Sequence, residues 1–137
     1  MITKYKTRDV PKSSYINFFQ KAQECYNAAH IALNNEEWNA VTINSVHSCS
    51  SASDAFCTYF LGKRHSGEDH NDAAALFKMI KNDAAANTNA HRITQILRIK
   101  NMAEYEERLV RPKEAEAIFK DCERLLAYVQ DRLPRGE

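Results

Sequence analysis

Glycine and proline are scarce in this chain, with three of each in 137 residues. An all-β protein needs many turns, and turns draw on those two residues, so their scarcity points to long helices. Strong charge of either sign is missing as well. Nineteen Lys and Arg against eighteen Asp and Glu leave a net charge of +1. No global field then draws in nucleic acid or an anionic membrane, and any such contact has to come from a local patch. No apolar run approaches the roughly twenty residues that span a bilayer. The opening MITKYKTRDVP is polar and basic, without the apolar segment of a signal peptide. No Cys-x-x-Cys pair occurs, and Cys25, Cys49, Cys57 and Cys122 each stand inside a helical pattern. These absences predict a cytoplasmic protein with no membrane contact and reduced, buried thiols.

What is present is an ordinary globular composition, 44% apolar and 27% charged. The length suits one domain, residues 1–137 with its core over about 12–133. A chain of this size removes about two thirds of its unfolded surface from water and needs no staples.

Residues 1–11 read as an irregular arm, followed by five helical segments. The first, about 13–34, places Tyr15, Phe18, Phe19, Ala22, Tyr26, Ala29 and Leu33 on one stripe at steps of three and four. The second, about 36–61, has Trp38, Val41, Ala52, Ala55, Phe56, Tyr59 and Phe60 as core positions. Its middle, NSVHSCSSASDA, is built of small side chains that let a neighbour approach closely, which makes it the central helix. GKRHSGEDHND is the clearest loop. A short third helix covers about 71–81, with Ala74, Leu76, Phe77 and Ile80 apolar. NDAAANTN supplies Asn and Thr as caps for a fourth over about 89–104. EERLV reads as extended, and a fifth helix opens at Pro112 and closes before PRGE. Five helices with short connections imply an all-α antiparallel bundle.

Two polar stripes interrupt the apolar pattern. Thr94, Arg98, Asn101 and Tyr105 fall at i, i+4, i+7 and i+11 on the fourth helix. Ile93, Ile96, Leu97, Ile99 and Ala103 take up much of its remaining circumference, so the stripe faces a cleft or a partner subunit. On the second helix Asn44, His47, Ser51 and Asp54 fall at i, i+3, i+7 and i+10. Buried polar groups need partners. The economical arrangement is that the stripes meet, with Asp54 or His47 near Arg98 or Lys100. An internal network fixing helix register and a functional cleft are both consistent with that meeting.

Four features taken together resemble the HEPN domains, small helical modules of bacteria and archaea. They are WNAVTINSVHSCSSASDAF, GKRHSGEDHNDAAALF, KNMAEY and RPKEAEAIFKDCERLLAYV, in that order over residues 12–133. The resemblance implies a homodimer whose paired sites share one cleft. Its setting would be toxin–antitoxin or phage defence, with RNA, a nucleotide, a nucleotidyltransferase or an antitoxin protein as partner. Catalytic members are metal-independent ribonucleases that use an arginine, a polar residue and, after four to six further positions, a histidine. The cation stabilises the charged phosphorane while the histidine moves a proton. Transferred onto this sequence, the site comprises Arg98, Lys100, Asn101 and Tyr105. His47, Asp54, Thr94 and Glu104 are candidate binding residues beside it.

The pattern departs where it matters: Tyr105 stands at the histidine position. A phenol titrates near about 10 and is a poor neutral-pH base, and lysine lacks the guanidinium fork. The expectation is weak or absent catalysis, with phosphate or nucleotide binding retained. A ribonuclease with an altered site and a purely structural helical module are the alternatives. Arg64 and His70 formally meet the arginine–histidine spacing, but they lie in the loop, where the match reads as chance. His65 and His70 read as exposed or capping residues. No cofactor or metal is implied: His47 and Cys49, two apart, point to different helix faces, and no glycine-rich phosphate loop occurs.

Overall fold

The computed structural model describes residues 6–66, 70–81 and 83–134, with the side chains of His70 and Asn71 outside the described set. The first residues of the arm, the centre of the long loop and the last three residues therefore lie outside the described residues. Among the described residues five α-helices carry the fold: α1 (Tyr15–Asn34), α2 (Trp38–Leu61), α3 (His70–Lys78), α4 (Ala84–Tyr105) and α5 (Pro112–Arg132). A 3-10 turn, Lys12–Ser14, leads into α1. Among the described residues no helix is long and apolar enough to cross a membrane.

The centre of the bundle is α2. It packs against α1, α4 and α5. Its small side chains have the predicted consequence: Ser48 is fully buried and its hydroxyl donates to the Ala22 carbonyl of α1 at 2.7 Å. A bulkier side chain at either position would push the two backbones apart. Phe56 of α2 stacks on Phe77 of α3 and meets Tyr128 of α5, which joins three helices in one aromatic cluster. Phe60, expected in the core, instead lies at the edge of that cluster and is 43% exposed.

Two local differences from the sequence reading bear on the site. The arm is not irregular throughout, because Thr7–Asp9 (β1) pairs antiparallel with Lys63–His65 (β2), where a loop was expected. Gly62 ends α2 in the left-handed region at φ +67° and turns the chain back, a conformation that favours glycine. Asp9 and Lys63 then meet across the pair at 2.9 Å.

The second difference is that α4 begins five residues early, at Ala84. Asp83 is the cap, its carboxylate accepting from the Ala86 N–H at 2.8 Å, and the alanines behind it are strong helix formers. Asp83→Ala is expected to cost about 1 kcal/mol, read as a melting temperature lower by several degrees; no shift would mean the cap contributes nothing.

Beyond α4 the chain, expected to be extended, bends at Glu107 and Arg108 before reaching α5. The Val110 N–H donates to the Asn39 side chain at the start of α2, at 2.8 Å. Arg108 forks onto Glu114 at 2.9 and 3.0 Å, and Glu114 also accepts from the Arg111 N–H. Those contacts hold the Glu114 carboxyl down to about 2 and set the start of α5.

A candidate phosphate-binding cleft

One wall of the candidate site is α2, which presents Cys49, Ser50, Ser53 and Asp54. The opposite wall is α4, with Ile93, Leu97, Lys100, Asn101 and Tyr105. The third side is β2 and the residue after it, with Arg64, His65 and Ser66. Together they enclose a cleft of about 580 Å³. The β1–β2 pairing places the third side: the Ser66 N–H donates to the Lys6 carbonyl at 3.0 Å, which lays the segment along α2.

The Arg64 guanidinium stands 4.0 Å from the Asp54 carboxylate, an ion pair just outside hydrogen-bonding reach. The guanidinium also lies over the Phe18 ring of α1, 5.9 Å from its centroid. Burial pushes the Asp54 carboxyl up to about 7, and the Arg64 charge offsets only part of that rise. Lys100 is half-buried at the cleft and has no ion-pair partner among the described residues. Tyr105 stands at the mouth, 76% exposed.

The structure sorts the residues predicted from the sequence into three groups. Lys100, Asn101, Tyr105 and Asp54 come together in the cleft. His47 and Glu104 meet each other at 3.4 Å and join α2 to α4 outside it. Thr94 and Arg98 do not line the cleft: the Thr94 hydroxyl donates to the Ala90 carbonyl of its own helix, and Arg98 is exposed. The two stripes share the cleft only through Asp54, Asn101 and Tyr105, and the ion pairs differ from those anticipated. Asp54 pairs with Arg64, and His47 pairs with Glu104 rather than with a cation. The cleft-facing line of α4 is the predicted one at Asn101 and Tyr105, but earlier on the helix Ile93 and Leu97, not Thr94 and Arg98, turn inward.

Arg64 and His65 are the residues that sequence reasoning set aside. His65 is half-buried on the cleft rather than fully exposed. The side chain of His70 lies outside the described residues. The available signal was the run of cations directly after Gly62, which a helix-terminating glycine carries back along the end of α2.

A second cleft, about 690 Å³, lies between the start of α1 and the end of α5. It is the larger of the two, but Tyr15, Phe19, Gln20 and Gln130 line it, and among the described residues no cation does. The thiols of Cys49, Cys57 and Cys122 are buried, which pushes them up, Cys122 to about 11, while Cys25, expected to be buried, is only half-buried and is raised by that partial burial and by Glu24. Among the described residues no group of three His, Cys, Asp or Glu is placed to hold a metal ion. No protein-family model, curated protein or solved structure matches the chain.

Proposed function

We propose that this protein is a HEPN-like module that binds a phosphate-bearing ligand, a nucleotide or the end of an RNA strand, in the α2–β2–α4 cleft, with little or no catalysis. The observation that carries this reading is the convergence of Arg64 and Lys100, from separate elements, on one cleft of about 580 Å³. A cavity of a few hundred Å³ accommodates a small polar ligand. The guanidinium supplies a planar fork for phosphate oxygens and the ammonium a second point charge. Asn101 and the serines add uncharged hydrogen-bonding groups, and the exposed Tyr105 ring offers a surface on which a base stacks.

The sequence resemblance favours the same ligand class and, with Tyr105 in place of histidine, argues against efficient cleavage. Binding of 5′-AMP and of a 5′-phosphorylated RNA oligomer, each at low and high salt, tests the reading. Saturable binding that weakens as salt rises supports it. Failure of both ligands to bind contradicts it. Metal-free cleavage of the oligomer by wild type, abolished by Lys100→Ala, would replace it with the ribonuclease alternative.

The reading includes a homodimer. Tyr105, the last residue of α4, and Leu109, in the segment after it, are 76% and 72% exposed, and large apolar side chains left on a surface are available to a partner. Light scattering at micromolar concentration is expected to give twice the chain mass, 15.7 kDa. A monomer would remove the dimer from the account and leave the cleft intact.

A further inference from the structure

The cleft holds one feature that a simple phosphate site does not need, a carboxylate beside its main cation. Asp54 reaches Arg64 from α2 at 4.0 Å, while Lys100 faces the same space from α4. A negative charge there repels an arriving phosphate and occupies the guanidinium. The charge balance decides how the site tolerates it. With Asp54 ionised, Arg64 and Lys100 leave a net charge of +1, which suits a singly charged phosphodiester. With Asp54 protonated the balance is +2, which suits the dianion of a phosphate monoester, whose second ionisation lies near about 6.

Resting on the phosphate-binding reading above, we propose that Asp54 is the specificity-determining residue of the cleft: it takes up a proton when a terminal phosphate monoester docks between Arg64 and Lys100, and its carboxylic acid donates a hydrogen bond to a phosphate oxygen.

The surroundings of Asp54 permit this. Its side chain is only 19% exposed, so a second negative charge brought beside it is poorly screened by water. Burial raises its carboxyl to about 7, so its neutral form is within easy reach near physiological pH. A docked dianion shifts the balance further toward that form, so binding and protonation are linked. The other groups facing it do not duplicate the role. On α2 its neighbours are serines and thiols that burial keeps protonated. From α4 come the Lys100 cation and the Tyr105 phenol, from α3 the uncharged Ala73, and from β2 Arg64 and His65. Phe18 of α1 backs Arg64 with an apolar ring. Among these, His65 is the group whose type also exchanges protons near neutral pH, and it has to be separated by experiment.

Calorimetric titration of wild type with 5′-AMP at pH 7.5, in buffers of different ionisation enthalpy, counts the protons taken up. Free AMP is almost wholly dianionic at that pH and contributes little. The expected result is uptake of more than about half a proton per AMP, as linkage at a group titrating near neutral pH requires. Asp54→Asn, which removes the charge but keeps the shape, is expected to bind AMP with no uptake and with an affinity independent of pH between 7.5 and 8.5, where AMP is almost wholly dianionic. His65→Gln is expected to keep the uptake, and ApA, a dinucleoside with only a diester, to bind without it. AMP binding to wild type without proton uptake, or uptake that survives in Asp54→Asn or vanishes in His65→Gln, overturns the role of Asp54 while the phosphate cleft stands. No AMP binding by wild type overturns the cleft reading itself, and this inference with it.

Discussion

Arg64→Ala is expected to weaken binding of 5′-AMP by about 10- to 100-fold, the range of one charge-assisted hydrogen bond. Arg64 is the best-held cation of the cleft. Its strand is paired to β1, its guanidinium lies over Phe18, and Asp54 holds it from α2. A pre-positioned fork loses little freedom on binding, so its removal is felt in full. Arg64→Lys should restore only part of the loss, because an ammonium cannot reproduce the fork. Lys100→Ala is expected to cost less, about 3- to 10-fold, since its longer, freer stem delivers a point charge. Arg98→Ala is the control. It lies on the same helix, is exposed and is absent from the cleft lining, so affinity should change by less than about 2-fold at moderate salt. Titration calorimetry on the four variants separates these cases. An Arg98→Ala loss as large as that of Arg64→Ala would place the ligand on the outer face of α4.

Asp54→Asn is expected to change the pH dependence of stability. Burial holds the Asp54 carboxyl up at about 7 in the folded protein, against about 3.9 for an aspartate in an unfolded chain. The folded protein therefore binds that proton more tightly than the unfolded one. The stability contributed by the protonated acid is fully present below about pH 4 and is lost as pH rises through about 7. Asparagine has no proton to lose. Relative to wild type, the variant should gain about 2–4 kcal/mol between pH 4 and pH 8.5. Urea denaturation of both proteins at the two pH values checks it. A constant difference between them would show that the Asp54 carboxyl titrates as it does in the unfolded chain. A gain in stability from removing a group that ligand binding uses is the usual signature of a functional site.

The helices were legible because their signals are local and periodic. The stripe through Tyr15, Phe18, Ala22, Tyr26 and Ala29 sets the inward face of α1, and the run of small residues in α2 marks the helix that others approach. The α4 half of the site was legible for the same reason: Lys100, Asn101 and Tyr105 come within six residues of one another on one helix. The β2 half was not. Thr7–Asp9 and Lys63–His65 are three-residue strands rich in charge, with no apolar alternation to mark them, and their pairing spans more than fifty residues. Without that pairing Arg64 reads as a loop cation, and Asp54 has no visible partner. The start of α4 was misplaced for a smaller reason: Asn87, Thr88 and Asn89 look like caps, but Asp83 caps first and alanines carry the helix through them. Asn89 then turns inward, its amide donating to the Ala85 carbonyl.

An amide-resolved NMR titration with 5′-AMP tests the central claim most directly, that phosphate is held between Arg64 and Lys100. The predicted result is saturable shifts centred on Ser53, Arg64, His65, Lys100 and Asn101, with Gln20 and Gln130 at the second cleft unmoved. Shifts confined to the α1–α5 cleft, or no saturable shift anywhere, would contradict it.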